Sequence, residues 1–472
     1  MAVRLRGAAI LGCFTTVVAF TRIEPVDAGR RLGFPASLQR PADLLARTFP
    51  EFIPALRAYG GGGYDQFQRN DLKKLGLVYV QGLVDLTWGN LERGDNVWKW
   101  SATDESMNKL ARKGLKVIAF IICPKSPGLP WDETIERDDP RFVAQYEEFA
   151  YELTKRYQGH PAWSGIVAVW GGSADVWDQD YPLTDPEVVV PLINAAYDGI
   201  KRADPTTIVA GFNFATTAGS KGDWELFHRR AFALSPKFDW YGAQTHGIPA
   251  TWLLEQGSYS GVQGLVNVRR FLDAHGYADK PIWLNEGGFL FGEDLGGMPE
   301  QAHAEQTAET FIVSRTLDLD LKGWVFFEYF GKEHVGEDFG IMTTLDQASP
   351  PRPRLSWTAY KTLNRTVRFF DYRFETKISG RANQATPPFV LRFAHRTNSS
   401  SKLWVVFSPR PRQKGQEPVP QAVTINIAPA TRATQVTMLG STSTIQADAS
   451  GNITIQSTSA PAYVKAVLSS VR

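Results

Sequence analysis

Cysteine is almost absent from this sequence. The 472 residues include only Cys13 and Cys123. Cleavage of an export signal after Ala28 would leave Cys123 alone, so the mature chain would form no internal disulfide. Export without disulfides is more typical of a bacterial envelope or secreted protein than of a eukaryotic one.

The predicted export signal covers residues 1–28. Arg4 and Arg6 precede an apolar run over residues 8–20, and Val-Asp-Ala at 26–28 has the small-x-small pattern of a cleavage site. The run is too short to span a bilayer as a permanent helix. We therefore expect a secreted or periplasmic protein without stable membrane insertion.

Excess charge and further long apolar runs are also missing. The formal net charge is +2, which gives no reason to expect nucleic acid or a membrane as a partner. Hydrophobic residues make up 43% and charged residues 21%, as in ordinary globular proteins, and the length accommodates a barrel plus an accessory domain. The 14 Trp, 15 Tyr and 28 Phe are many, and aromatic faces often line sugar sites, although core packing explains most of them.

Apolar runs alternate with amphipathic helical patterns along the first three quarters of the chain. Predicted strands lie at 53–59, 78–84, 116–122, 165–170, 208–211, 239–244, 282–285 and 323–327, and predicted helices at 101–113, 141–157, 186–203, 223–234, 262–275, 300–319 and 357–364. This alternation predicts an α/β fold with a parallel sheet, and eight units fit a (β/α)8 TIM barrel at residues 29–366. A doubly wound sheet is the competing architecture. No Gly-rich phosphate loop follows the early strands, so nucleotide binding has little support.

The character of the sequence changes after about residue 365. Short β-branched segments at 389–393, 403–407, 422–427 and 453–455 are separated by Ser, Thr, Pro and Gly. They predict a small all-β antiparallel sandwich at residues 367–472. From Lys377 onward, eleven Lys or Arg face two acidic residues, a formal balance of +9. A solvated basic face that packs on the barrel is preferred over a site for an anionic polymer.

Polar and aromatic residues follow the predicted strands where a barrel places its active site, at the carboxyl ends. The residues are Trp88, Trp131, Trp170, Asp175, Asp178, His246, Glu286 and Glu328, and Trp324 starts the eighth strand. Carboxylates, tryptophans and one histidine suit a neutral, hydroxyl-rich ligand. The His/Asp clusters of a metal site and a Ser-His-Asp order with a nucleophile elbow are not visible, so we expect no cofactor.

Glu286 is the strongest single candidate. It ends the apolar run of PIWLNEGG (281–288), and the two glycines after it let a ligand approach the backbone. Strand alternation predicts that Ile282, Leu284 and Glu286 share one face and that Trp283 packs under the outer helices. A structural salt bridge is the alternative role for this carboxylate.

Several segments resemble a known group of enzymes, in order along the chain. They are GLVDLTWGNLERGDNVWKWSATD (82–104), GLKVIAFIICPKSPGLPW (114–131), FAYELTKRYQGHPAW (149–163), PIWLNEGG (281–288) and SAPAYVKA (459–466). Together they resemble clan A of the retaining glycoside hydrolases, whose TIM barrel is followed here by an accessory sandwich. The resemblance covers nearly the whole mature chain. It implies that Glu286 is the catalytic nucleophile.

The chain departs from that clan at the fourth strand. The clan carries a Trp-Asn-Glu-Pro-like motif there, whose glutamate is the general acid/base. In VAVWGGSADVW (167–177), Trp170 aligns with the aromatic residue, but Gly171 and Gly172 stand in place of the asparagine and the glutamate. Asp175 is the first choice for a substitute acid, with a helix-capping or loop-turn aspartate as its structural alternative, and Asp178 is the second choice.

The remaining candidates are expected to bind substrate, each with a structural alternative. His246 would bind the nucleophile or a sugar, Trp324 would lie under a sugar ring, and Glu328 would orient Glu286 or a sugar hydroxyl. For His246 the alternative is a structural histidine whose hydrogen bonds are satisfied within the fold, and for Trp324 it is a tryptophan of the barrel core.

Two functions from different classes follow from these residues. The first is a secreted glycoside hydrolase that cleaves a β-linked polysaccharide or oligosaccharide with retention, through Glu286 and Asp175. The second is a carbohydrate-binding pseudoenzyme that has lost its acid, and a transglycosylase is a minor variant. The sugar, the linkage and the oligomeric state are not readable from the sequence.

Overall fold

The computed structural model describes residues 52–58, 65–122, 128–136, 139–170, 185–215, 221–246, 261–292, 298–316, 319–331, 338–343, 351–367, 372–374, 388–409 and 418–468. The predicted signal peptide lies outside these residues. Within them, eight parallel strands form a closed barrel, which confirms the predicted architecture. The barrel strands are β1 (Ile53–Arg57), β2 (Tyr79–Gln81), β3 (Lys116–Ile122), β6 (Trp163–Trp170), β7 (Ile208–Ala215), β8 (Trp240–His246), β9 (Ile282–Gly288) and β10 (Leu321–Phe326). Each pairs with the next in this order, and β10 pairs with β1. A small antiparallel hairpin, β4 (Gly128–Leu129) and β5 (Asp132–Glu136), follows β3.

Helices cover the outside of the barrel. They are α1 (Asp65–Lys74), α2 (Trp88–Leu91), α3 (Ser101–Arg112), α4 (Pro140–Tyr157), α5 (Pro186–Ala203), α6 (Lys221–Ala233), α7 (Gly261–Ala274), α8 (Glu300–Thr316) and α9 (Leu355–Val367). In α4 the side chain of Asp139 caps the first turn by accepting a hydrogen bond from the Arg141 amide, and Pro140 fits the first helical position. Phe142, Phe149 and Leu153 then recur at helical spacing and are buried against the strands.

The barrel interior is filled by its own apolar layer. Its members are Ile53, Ala55, Tyr79, Ile118, Ile166, Ile208, Ala210, Trp240, Trp283 and Val325. The prediction that Trp283 packs under the outer helices is therefore wrong. Ile282 and Leu284 do belong to the large core that includes the helices, so the strand alternates as expected, but with Trp283 facing inward.

The carboxyl-terminal region forms the predicted antiparallel sheets. One has six strands, β11 (Tyr372–Phe374), β12 (Phe389–His395), β13 (Ser401–Phe407), β18 (Ala462–Val467), β15 (Arg432–Val436) and β16 (Thr442–Gln446), in that spatial order. The other pairs β14 (Gln421–Asn426) with β17 (Asn452–Ser457). Phe393 and Val405 join the barrel's main core, whereas Trp404 and Val464 pack with Ile425 of the two-stranded sheet. The six-stranded sheet is thus the middle layer. Among the described residues, no helix is both long and apolar enough to cross a membrane.

A buried histidine in α6 makes the fold sensitive to acid. The ring of His228 is bonded through Nδ1 to the Trp224 carbonyl and through Nε2 to the Tyr241 hydroxyl, at 2.8 and 2.7 Å. Burial lowers the pKa of His228 from 6.5 to about 3, although its bond to the Trp224 carbonyl opposes the shift. His303 in α8 is also buried, which lowers its pKa to about 4.

We expect a His228→Phe/Tyr241→Phe protein to lose less stability in acid than the wild type. Between pH 6.5 and about 3 the unfolded chain binds a proton that folded His228 does not, so the free energy of unfolding falls as the pH falls. Removing this group should reduce the slope of the free energy of unfolding against pH by about 1.4 kcal/mol per pH unit. Urea unfolding between pH 4 and 6.5 measures it, and equal slopes for both proteins would contradict the prediction.

Candidate active site

The carboxyl ends of the barrel strands bring two charged side chains together. Glu286 comes from β9 and Arg57 from the end of β1, and the two form an ion pair. Because β10 lies between those strands, the pair bridges the end of β10 on the inner side of the barrel rather than joining neighbours within the sheet. The side chains are 11% and 14% exposed, so the salt bridge considered as an alternative exists, but it lies at the accessible end of the barrel.

Aromatic rings fix the position of the arginine. The guanidinium carbon of Arg57 lies 5.0 Å from the ring centre of Phe120 and 5.6 Å from that of Phe327. Both are within the range of cation–π attraction. A guanidinium held in this way stabilises the anionic carboxylate of Glu286, which is the form that a nucleophile requires.

A β-bulge turns Glu286 toward the mouth. In the pairing of β9 with β8, Ala243 faces Leu284 and the adjacent Gln244 faces Glu286, so Asn285 is an extra residue. The pairing with β10 shifts register in the same place. Without the bulge, Glu286 would share the outward face of Leu284. The strand-period argument missed the bulge, which is the physical reason that the inferred faces of β9 were incorrect.

The two glycines after Glu286 are required by close packing. A side chain at Gly288 would collide with the carbonyl of Phe327, and one at Gly287 would press against the indole of Trp324. These contacts hold the end of β10 against the end of β9, where the Phe327 amide also donates to the Gly287 carbonyl at 2.9 Å. The Glu-Gly-Gly sequence therefore serves backbone packing at the mouth.

Buried amide side chains also lie within the barrel. Gln81 Nε2 donates to Asn285 Oδ1 at 2.8 Å, and both residues have no exposed surface. Asn213 of β7 is equally buried and donates to the Val169 and Ala210 carbonyls at 2.8 and 2.9 Å. Asn213 and its neighbour Phe212 have φ values of 55° and 73°, and the pairing of β7 with β8 shifts register there. Sequence reasoning missed Arg57, Gln81 and Asn213, because no local pattern distinguishes them.

Two predicted sugar-binding tryptophans are core residues instead. Trp88 is 1% exposed and packs among Phe142, Tyr146 and Phe149 of α4. Trp324 is also 1% exposed, lies 5.7 Å from the ring of Phe311 in α8, and donates its indole N–H to the Gly287 carbonyl. Both positions follow from the apolar surface of the indole ring, which the helix layer buries. The predictions of a sugar-binding role for Trp88 and Trp324 are corrected accordingly.

Glu92 is a buried carboxylate to which the sequence assigned no role. It accepts a hydrogen bond from the Trp88 indole at 2.6 Å and another from the Asn96 amide at 2.9 Å. Burial raises its pKa to about 7, although these two hydrogen bonds oppose the shift. Its contacts make Glu92 a structural residue of the turn after α2.

Of the other predicted site residues, the structure describes the side chains of Trp131 and Glu328. Trp131 is partly exposed and touches Trp88 edge-on at 5.7 Å, and Glu328 is 1% exposed just beyond β10. Trp170 ends β6, and the backbone of His246 pairs with Gly288 at the mouth, whereas the side chains of both lie outside the description. Asp175, Asp178 and the Gly171–Gly172 pair lie outside the described residues. Within the described segments, no group of His, Cys, Asp or Glu side chains is arranged to hold a metal ion.

Comparison with known proteins finds similarity in structure alone. No family model and no curated protein sequence matches the chain. A family 39 glycoside hydrolase from Bacteroides cellulosilyticus WH2 has a TM-score of 0.63 at 13% identity, over 89% of this chain and 81% of that one. A glucosidase from Croceicoccus marinus gives 0.60 at 12% identity, over 89% and 97% of the two chains. A monomeric β-xylosidase from Caulobacter crescentus CB15 gives 0.57 at 15% identity, over 89% and 98%.

These likenesses extend over the barrel and the following sheets. They confirm that the chain resembles glycoside hydrolases of clan A in its fold, as its sequence motifs predicted. At identities of 12–15% they establish the fold, and the chemistry has to be argued from the site itself.

Proposed function

We propose that the protein is an exported glycoside hydrolase that cleaves a β-linked oligosaccharide or polysaccharide with retention of configuration. The observation that carries the proposal is the position of Glu286. It is partly accessible, it lies at the carboxyl end of a barrel strand, and it faces the guanidinium of Arg57. The fold shared with a family 39 glycoside hydrolase and a β-xylosidase supports a carbohydrate substrate.

In the first step of the proposed reaction, a Glu286 oxygen attacks the anomeric carbon and forms an ester to the sugar. The bond between that carbon and the glycosidic oxygen breaks, and a proton donor delivers a proton to the departing oxygen. In the second step, water gives up a proton to the same group and attacks the anomeric carbon, which releases Glu286 as a carboxylate. Asp175 is the proposed donor, and in retaining enzymes the two carboxyl groups are about 5–5.5 Å apart.

Arg57 has a defined role in this scheme. Its charge keeps Glu286 ionised before attack and stabilises the carboxylate that returns in the second step. While the ester exists, the arginine faces a neutral group. Phe120 and Phe327 then continue to hold the guanidinium, so the site does not need to rearrange between the steps.

A carbohydrate-binding pseudoenzyme is the second candidate. Gly171 and Gly172, which replace the usual asparagine and glutamate, favour it. General acid assistance contributes about 10²–10⁴-fold, so a protein without a donor would cleave only substrates with good leaving groups. A transglycosylase would use the same first step and transfer the sugar to another hydroxyl.

Covalent labelling separates these candidates. We expect a 2-deoxy-2-fluoro aryl glycoside with a good leaving group to add one sugar to the protein in intact-mass spectra, with the label on the peptide containing Glu286. Asp175→Asn should slow aryl glycosides with poor leaving groups and spare those with good ones. Binding of glycans without an adduct across a wide sugar panel would reject the hydrolase and favour the pseudoenzyme. If Asp175→Asn hydrolyses aryl glycosides with good and with poor leaving groups at the wild-type rates, Asp175 is rejected as the donor.

A further inference from the structure

Two consecutive residues of β9 contact strands that do not pair with β9. Asn285 bonds to Gln81 of β2, and Glu286 bonds to Arg57 of β1. Neither β1 nor β2 is a neighbour of β9 in the barrel. Only side chains that point inward can make such contacts, so the bulge directs both residues to the interior, contrary to simple alternation.

The two partners lie side by side on the paired strands β1 and β2. Arg57 and Gln81 face each other in the register of β1 with β2. The Gln81 carbonyl accepts a hydrogen bond from the Ala58 amide at 2.9 Å, which ties the ends of these strands together. A side chain at Gly82 would collide with the Ala58 carbonyl, so this junction is closely packed.

The amide pair contributes little to stability. Gln81 Oε1 and Asn285 Nδ2 are buried and have no hydrogen-bond partner among the residues that the structure describes. Burying a polar atom without a partner costs at least as much free energy as a neutral hydrogen bond contributes, so the cost offsets the gain. An apolar pair of similar shape would serve stability as well, so the amides have a geometric role instead.

We infer that Gln81 is a positioning residue that acts through Asn285 to hold the β9 bulge and thereby direct Glu286 into the mouth. The inference rests on the proposed function. The bond from Gln81 is neutral and buried, so it does not depend on the charge of Glu286. It therefore keeps the backbone in place when an ester at Glu286 weakens the attraction to Arg57.

The consequence for catalysis is specific. A misplaced nucleophile slows attack, and a displacement of 1 Å costs about 10²-fold. Substrate affinity depends on other contacts and should change little. Gln81 is thus expected to affect the rate constants of the chemical steps and to leave the ground-state affinity nearly unchanged.

The test uses Gln81→Met, Asn285→Leu and the double variant, with Asn364→Leu as a matched control. Asn364 is a buried amide on α9 beside Gly76, in the turn that leads into β2 from the other end of the barrel. The kinetics of inactivation by the 2-fluoro glycoside give the affinity and the labelling rate separately. We expect each single variant to label about 10²-fold more slowly with affinity within about 3-fold, and the double variant to be no slower than either. The control should label at the wild-type rate, whatever its effect on thermal stability.

Three results would overturn the inference. The first is a double variant whose loss of labelling rate is the product of the two single losses. The others are a variant that loses only affinity for the 2-fluoro glycoside, and a Gln81→Met protein that labels at the wild-type rate. A second measurement keeps the test independent of catalysis. In protein carrying ¹³C-carboxyl glutamate, the Glu286 resonance is assigned by its disappearance in Glu286→Gln. It should move in Gln81→Met and Asn285→Leu and stay in place in Asn364→Leu. If the wild type takes no label but these shifts occur, the proposed function fails while the positioning role remains. If the resonance stays in place in every variant, the positioning role fails.

Discussion

Glu286→Gln is expected to abolish turnover of aryl glycosides, with kcat lower by about four orders of magnitude or more. Glutamine has nearly the shape of glutamate, but its amide cannot form the ester intermediate, so the loss comes from the nucleophile itself. The ion pair with Arg57 lies partly in solvent and the guanidinium keeps its two aromatic neighbours, so the variant should still fold. Release of the aryl group under initial-rate conditions and far-ultraviolet circular dichroism provide the two measurements.

Azide distinguishes a missing nucleophile from a missing acid. In Glu286→Gly, azide would attack from the side that the carboxylate occupied and give a glycosyl azide of inverted configuration. In Asp175→Asn, azide would attack the ester to Glu286 and give a product of retained configuration. Full activity of Glu286→Gln, or rescue of Glu286→Gly with retention, would remove Glu286 from the mechanism.

Arg354→Met is expected to produce the largest loss of stability, about 3–5 kcal/mol in the free energy of unfolding. Arg354 and Asp338 form a two-pronged ion pair at 2.7 and 2.6 Å, with side chains only 2% and 0% exposed. Removing the arginine leaves a buried carboxylate without this partner. The arginine also donates to the Gly340 carbonyl and lies 3.7 Å from the ring centre of Phe291, so it joins the segments after β9 and β10.

Two further variants test the cause of this loss. In Arg354→Met/Asp338→Leu no buried charge remains from the pair, so much of the stability should return. Arg230→Met removes the arginine that pairs with Asp185, where the side chains are 49% and 53% exposed, and should cost less than about 1 kcal/mol. Urea unfolding measures all three. A double variant as unstable as Arg354→Met would show that packing against Phe291, rather than the lost charge balance, is responsible.

The regular part of the fold follows from the sequence because its signals are local. The helix Pro186–Ala203 and the strand Lys116–Ile122 have the bounds that the pattern predicts. In that helix, Asp185 caps the amino terminus, Pro186 fits the first turn, and apolar residues recur at helical spacing. Each signal lies within a few residues of the feature that it determines.

The candidate site is less predictable because its contacts join distant residues. The motif identifies Glu286, but Arg57 is 229 positions earlier, and no local pattern indicates that the end of β1 comes within ion-pair distance of the end of β9. The bulge at Asn285 depends on Gln81 from another strand, so a period of two assigned the wrong face to Trp283. The environments of Trp88 and Trp324 are likewise determined by residues that are distant in the sequence. An indole at a strand end fits a sugar platform and a helix interface equally well, and only the packing decides between them.

The position of Arg57 beside the rings of Phe120 and Phe327 has a consequence for activity in alkaline solution. Arginine stays protonated over the range in which proteins remain folded. The cation opposite Glu286 is therefore constant, and titration of that partner cannot account for a decline in kcat/KM on the basic side. Such a decline would instead report the ionisation of the group that protonates the leaving oxygen. The pH at the midpoint of the decline would give the pKa of this donor in the free enzyme.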